Sequence, residues 1–98
     1  MTNYPNPADM RQGPTNVAYL LNEDATVKIS LFDLLGYLIR EWNFSAGQEG
    51  GRSGPNVFQW DGRDFGGTQV SAGGYIMRIE VTGAKGSTTV IRKIGVIN

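Results

Sequence analysis

The residues of this chain best suited to chemistry lie close together: Trp60-Asp61-Gly62-Arg63-Asp64 sets two carboxylates three residues apart around a glycine. Ca²⁺ takes about 6–8 oxygen ligands, so Asp61 and Asp64 with nearby carbonyls begin a calcium site and need more donors from elsewhere. The competing expectation is structural. Asp side chains in a tight turn accept backbone N–H bonds and hold the bend, and that reading calls for no metal and no cofactor. Trp60 offers a second choice. It can stack on a sugar if exposed, as can Trp42, or it can close one end of a core with its N–H bonded to a turn carbonyl.

The remaining catalytic options are few. The 98 residues contain no His and no Cys. Ser-His-Asp catalysis, imidazole acid–base work, thiol nucleophiles and His- or Cys-based zinc sites are therefore excluded. A glycosidase needs two carboxyls across a sugar cleft, whereas the acidic residues here sit mostly in turns of a chain with little room for a cleft. The expectation is that the protein is not an enzyme and has no catalytic residues.

Nine Lys and Arg balance nine Asp and Glu, and no window carries a basic run. The electrostatic term that dominates nucleic-acid binding is missing, so no nucleic acid is expected as partner. No apolar run approaches the ~20 residues that cross a bilayer as a helix, and the start has no signal-peptide pattern. Membrane insertion is not expected, and any export signal would belong to a longer precursor.

Strands must position the turn residues. Fourteen glycines and four prolines fall in clusters between β-branched and aromatic runs, the pattern of strands joined by turns. Residues 15–21 read as a strand, and the polar turn Asn22-Glu23-Asp24 suggests that they pair with residues 25–33, where Val27, Ile29 and Leu31 alternate with Lys28 and Ser30. Asp33-Leu34-Leu35-Gly36 supplies an Asp that bonds its own backbone and a Gly suited to positive φ, so residues 37–44 return as a hairpin. Residues 45–56, with four glycines and a proline, read as a flexible loop that buries nothing. Residues 57–60 form a short strand, Gly73 and Gly74 open one at Tyr75 that runs to Val81, and residues 87–97 form the last, its Arg92-Lys93 step suited to an edge. Pro5 and Pro7 around Asn6 fix φ and withhold N–H groups, making residues 2–14 an extended N-terminal segment fit for an edge strand at most. Tyr75 reads as a packed aromatic. Tyr4 and Tyr37 read either as interface anchors or as end covers.

About seven strands without helices, in one domain over residues 1–98, predict an all-β antiparallel sandwich of Ig-like or fibronectin III-like type, with an open barrel as alternative. The ordered signatures Tyr4-Pro5-Asn6-Pro7, Asp33-Leu34-Leu35-Gly36, Trp60-Asp61-Gly62-Arg63-Asp64 and Gly73-Gly74-Tyr75 resemble the Ig-like domain of flagellar hook-capping proteins. They are similar also to the C-terminal sorting domains of type IX secretion cargo. The resemblance spans residues 4–97 and implies a non-catalytic interaction module of a larger bacterial secreted or cell-surface protein, serving sorting, attachment or spacing. Its partners would be proteins: the parent chain, secretion or surface machinery, or further copies of itself. A hook-cap or filament subunit assembling through strand edges, and a carbohydrate-binding module, are the alternatives.

Overall fold

A computed structural model describes residues 2–4, 8, 9, 11 and 13–97. In chain order its strands are β1 (Thr2–Tyr4), β2 (Ala8–Asp9), β3 (Thr15–Leu21), β4 (Thr26–Asp33), β5 (Leu38–Phe44), β6 (Gly54–Trp60), β7 (Gly73–Gly83) and β8 (Gly86–Ile97). They make two sheets, one of order β1-β3-β6 and one of order β2-β8-β7-β4-β5. Every pairing is antiparallel except β2 with β8, where Ala8 lies opposite Val96. The extended start therefore contributes one short strand to an edge of each sheet. Pro5, Asn6 and Pro7, which link the two, lie outside the described residues. The fold is an Ig-like antiparallel β-sandwich, with eight strands among the described residues where about seven were expected.

The period-2 pattern places one face of each long strand in the core. Val17, Tyr19 and Leu21 of β3 face Val27, Ile29 and Leu31 of β4, with Met77 and Ile79 of β7 and Ile94 and Val96 of β8 beside them, all buried. Trp60 ends β6 inside this cluster and has no exposed surface. On the opposite face of β4, Lys28 reaches Glu41 at 3.7 Å and Arg78 stacks over Phe32 at 5.0 Å. Alternation of this kind decides which face a strand buries, and a slip of one residue would reverse it.

Two sequence expectations are corrected. β3 and β4 are not neighbours: β3 lies between β1 and β6, whereas both edges of β4 are occupied, by β5 and β7. Strands that follow each other but both bury their alternate residues can instead face across the core, and the 22–25 connection carries the chain from one sheet to the other. The second correction concerns residues 45–56. β6 begins at Gly54, three residues earlier than the strand read from sequence, and Pro55 fits there because β6 is an edge strand that does not need its N–H.

The rest of that segment buries main chain. Gly47 N donates to Gly51 O at 2.9 Å, Gln48 N to Ser45 O at 3.1 Å and Gly51 N to Gln48 O at 2.8 Å, while Ala25 N donates to Gly51 O at 3.0 Å. Gly50 and Gly51 are both buried. A Cβ on Gly51 would meet the carbonyl oxygens of Ser45 and Ala25, the latter at 2.6 Å, so only glycine allows this approach. The glycine content of the loop thus reflects close packing against the 22–25 connection.

Tyr19 ties the loop to the core by donating its hydroxyl to Gly50 O at 2.7 Å. Burial pushes its phenol up to about 12 from 10.0. A pKa raised in the folded state gives stability that is complete below the unfolded value and is lost as pH rises toward the folded one. The urea midpoint is therefore expected to fall between pH 10 and 12. Tyr19→Phe, which leaves the Gly50 carbonyl without its donor, is expected to be less stable at neutral pH by about 1 kcal/mol. The gap between the variant and the wild type should close across the same pH window. A gap that stays constant to the top of the window would mean that the hydroxyl is not held in the core.

Candidate interaction surface

The Trp60-Asp64 turn is built by its own side chains. Trp60 Nε1 donates to Arg63 O at 3.0 Å, as an aromatic closing a core end should. Gly62 takes a φ of +79°, and Val70 N donates to its carbonyl at 2.8 Å. Asp61 Oδ1 accepts Arg63 N at 3.1 Å and Arg40 Nη1 at 2.8 Å. Asp64 Oδ1 accepts Gly66 N at 2.9 Å and Thr68 N at 3.0 Å. The two carboxylates are thus engaged in separate turns, one of them ion-paired. Among the described residues there is no group of three or more His, Cys, Asp or Glu side chains placed to hold a metal ion.

Neither tryptophan offers a platform for a sugar. Trp60 is wholly buried, with Tyr75 edge-on at 6.1 Å. Trp42 lies opposite Ile29 and so faces the core, its ring 5.0 Å from Phe58 and covered by Arg40 at 5.3 Å. Tyr75 is packed as expected. Its hydroxyl donates to Ser71 O four residues upstream at 2.6 Å, the tie of a tyrosine corner. Burial raises its phenol pKa, and the nearby Asp33 carboxylate raises it further.

The Asp33-Gly36 turn lies at the same end of the sandwich, since Asp33 is opposite Tyr75. Asp33 Oδ1 accepts Leu35 N at 2.9 Å and Tyr37 N at 3.0 Å, and Gly36 adopts a φ of +91° that a side chain would resist. Leu34 leans over Gly74, where a Cβ would lie 3.3 Å from its Cδ1. β5 carries one extra residue, Ile39, between the pairs Leu31–Arg40 and Phe32–Leu38. Its carbonyl accepts Phe65 N at 3.1 Å, which anchors the 61–70 loop beside the hairpin.

The consequence is an apolar rim. Leu34, Leu35, Tyr37 and Phe65 are 62%, 84%, 68% and 65% exposed, and Leu38 is exposed beside them. Soluble monomers rarely leave a large group of apolar side chains in water without a partner. Tyr37 was singled out from sequence, and it stands in this rim. Tyr4 lies outside the residues whose side chains are described. Leu34, Leu35, Leu38 and Phe65 were missed, although a signal was available for two of them: Leu34 and Leu35 lie between the turn formers Asp33 and Gly36, where large apolar side chains cannot both reach a core.

The comparisons agree with this architecture. The sequence model of the FlgD Ig-like domain matches residues 6–86. Dimeric latent PorU from Porphyromonas gingivalis is similar with a TM-score of 0.76 at 20% identity, over 98% of this chain and 9% of PorU. FlgD from Xanthomonas campestris, described for its role in hook capping, gives 0.68 at 19%, over 96% of this chain and 64% of that one. PorZ from P. gingivalis, a surface component of the type IX secretion system, gives 0.60 at 21%, over 99% of this chain and 11% of that one. The chain thus spans a small part of PorU and PorZ and under two thirds of this FlgD. No curated protein matches it.

Proposed function

The chain belongs to the FlgD Ig-like domain family, and from that premise we propose that it serves as an interaction module in a larger bacterial secreted or cell-surface protein, acting in sorting, attachment or spacing. It is a non-catalytic Ig-like domain: no His or Cys is present, and the paired carboxylates Asp61 and Asp64 build turns. The observation that carries the reading is the rim of Leu34, Leu35, Tyr37, Leu38 and Phe65, held outward by well-bonded turns. Apolar and aromatic side chains fixed on a rigid scaffold are what a protein partner buries at low entropic cost. The likeness to PorU, PorZ and FlgD supports an extracellular or surface location and partners drawn from protein machinery.

An immunoblot of source cells, surface fraction and medium with antibody to these 98 residues tests it. A band well above 10.7 kDa outside the cytoplasm is expected. A photo-crosslinking residue at Leu35 should join the protein to another chain, and the same residue at the exposed Val57 should not. A band near 10.7 kDa that crosslinks only to itself would overturn the module in favour of a self-assembling subunit.

A further inference from the structure

At the end of β5 away from the rim the chain reads Glu41-Trp42-Asn43-Phe44-Ser45. Of Asn3, Asn6, Asn16, Asn22, Asn43 and Asn56, only Asn43 has a hydroxyl residue two places on with no proline between. That spacing is the acceptor pattern for a sugar attached to an asparagine amide, and it has meaning where the side chain reaches solvent on an exported protein. The fold meets the solvent condition. Asn43 is exposed, whereas Asn56 is buried and Asn16 is bonded across the strands by Gln59.

Strand register sets this exposure. Asn43 lies opposite Lys28 of β4, on the face of the sheet turned away from the core, and Glu41 shares that face two residues earlier. Glu41 holds both neighbours: its Oε1 accepts Asn43 Nδ2 at 3.3 Å, and its Oε2 pairs with Lys28 Nζ at 3.7 Å. An asparagine amide carries two N–H groups, so a sugar can replace one while the other keeps the bond to Glu41. The strand stops at Phe44, and Ser45, also exposed, opens the turn in which Gln48 N donates to its carbonyl at 3.1 Å. Asparagine and hydroxyl thus sit where the chain leaves the ladder and can bend into the cleft of an enzyme. β5 is the edge strand on the far side of its sheet from β2 and β8, so this corner is remote from the strands by which the chain enters and leaves the sheet.

We propose that Asn43 is an N-glycosylation site, the acceptor for an oligosaccharide carried on a lipid diphosphate and delivered by an oligosaccharyltransferase. In the transfer, Asn43 Nδ2 bonds to the anomeric carbon of the first sugar. The bond from that carbon to the diphosphate oxygen breaks, and the lipid diphosphate leaves with the electron pair. The amide nitrogen gives up one proton to a base of the transferase, and nothing is oxidised or reduced. A hydrated sugar chain on Asn43 blocks strand pairing along the β5 edge. It leaves the rim open, because Asn43 stands about 17 Å along an extended strand from Leu38. The inference rests on the reading of the chain as part of an exported protein, and adds a modification to it.

The test recovers the full-length protein from the surface fraction and medium of source cells, cuts it with trypsin and weighs the peptide of residues 41–52. Arg40 and Arg52 bound this peptide, and Asn43 is its one asparagine. It is expected to be heavier than its sequence by whole sugar residues. In full-length variants expressed by the same cells, Asn43→Gln and Ser45→Ala should lose the added mass, and Ser45→Thr should keep it. All three should retain the wild-type urea midpoint, since they alter exposed side chains. The proposal is overturned if the peptide from exported protein is found only without sugar. It is overturned equally if Asn43→Gln keeps the added mass, which would move the sugar to Ser45. Both results leave the module reading standing, because chain mass and the crosslink at Leu35 test it independently. Protein confined to the cytoplasm would overturn both.

Discussion

Trp60→Ala is expected to destabilise the protein by about 3–5 kcal/mol, the cost of deleting a large ring from a packed core. Domains of this size have about 5–15 kcal/mol in total, so the variant should be at best marginally folded. Three losses combine. The ring vacates the centre of the cluster, Tyr75 loses its edge-on partner, and Arg63 O loses the indole donor that closes the 61–64 turn. Trp60→Phe separates them, because it keeps most of the apolar volume and removes the N–H. It should cost roughly 1–2 kcal/mol, near the value of one hydrogen bond. Urea denaturation followed by far-UV circular dichroism reads both. Wild-type stability in Trp60→Ala would mean that the indole is not in the core, and the sugar-stacking role excluded by its burial would have to be reconsidered.

The second large effect belongs to β4. Ile29→Ala should cost about 2–5 kcal/mol, because Ile29 is fully buried between Trp42 and Ile79 on the neighbouring strands. Its neighbour Lys28 points to the other face, where its ion pair with Glu41 is partly exposed. Lys28→Ala should therefore change stability by about 1 kcal/mol or less. The pair of variants measures register directly, since a slip by one residue would exchange their effects. Thermal unfolding of both suffices. Equal effects at the two positions would refute the orientation of β4 and, with it, the assignment of the core.

The elements legible in the sequence were those whose signal is local. Alternation in Val27, Ile29 and Leu31, and in Tyr75, Met77 and Ile79, fixed which side faces inward without knowledge of neighbours. Asp33 with Gly36, and Asp61 and Asp64 around Gly62, announced turns because carboxylates bond nearby N–H groups and glycine tolerates positive φ. Trp60 was read as a core end closed by a turn carbonyl, and that is where it sits. The same four signatures, taken in order, identified the family.

Partnership between distant strands was not legible. Nothing between Leu21 and Thr26 tells a hairpin from a crossing, since a short polar connection serves both; the choice fell to β5 and β7, which fill the edges of β4. Glycine-rich composition in residues 45–56 suggested freedom, but Gly51 is there because two carbonyl oxygens approach it, and one of them lies 26 positions earlier at Ala25. The apolar rim follows the same division. The sequence by itself determined the fold, the absence of His and Cys chemistry and the turn-forming role of the aspartates, because each depends on residue type and short spacing. The rim was decided by tertiary structure alone: exposure of Leu34, Leu35 and Phe65 depends on which turns the strand pairing brings to one end of the sandwich, and that pairing runs across the whole chain.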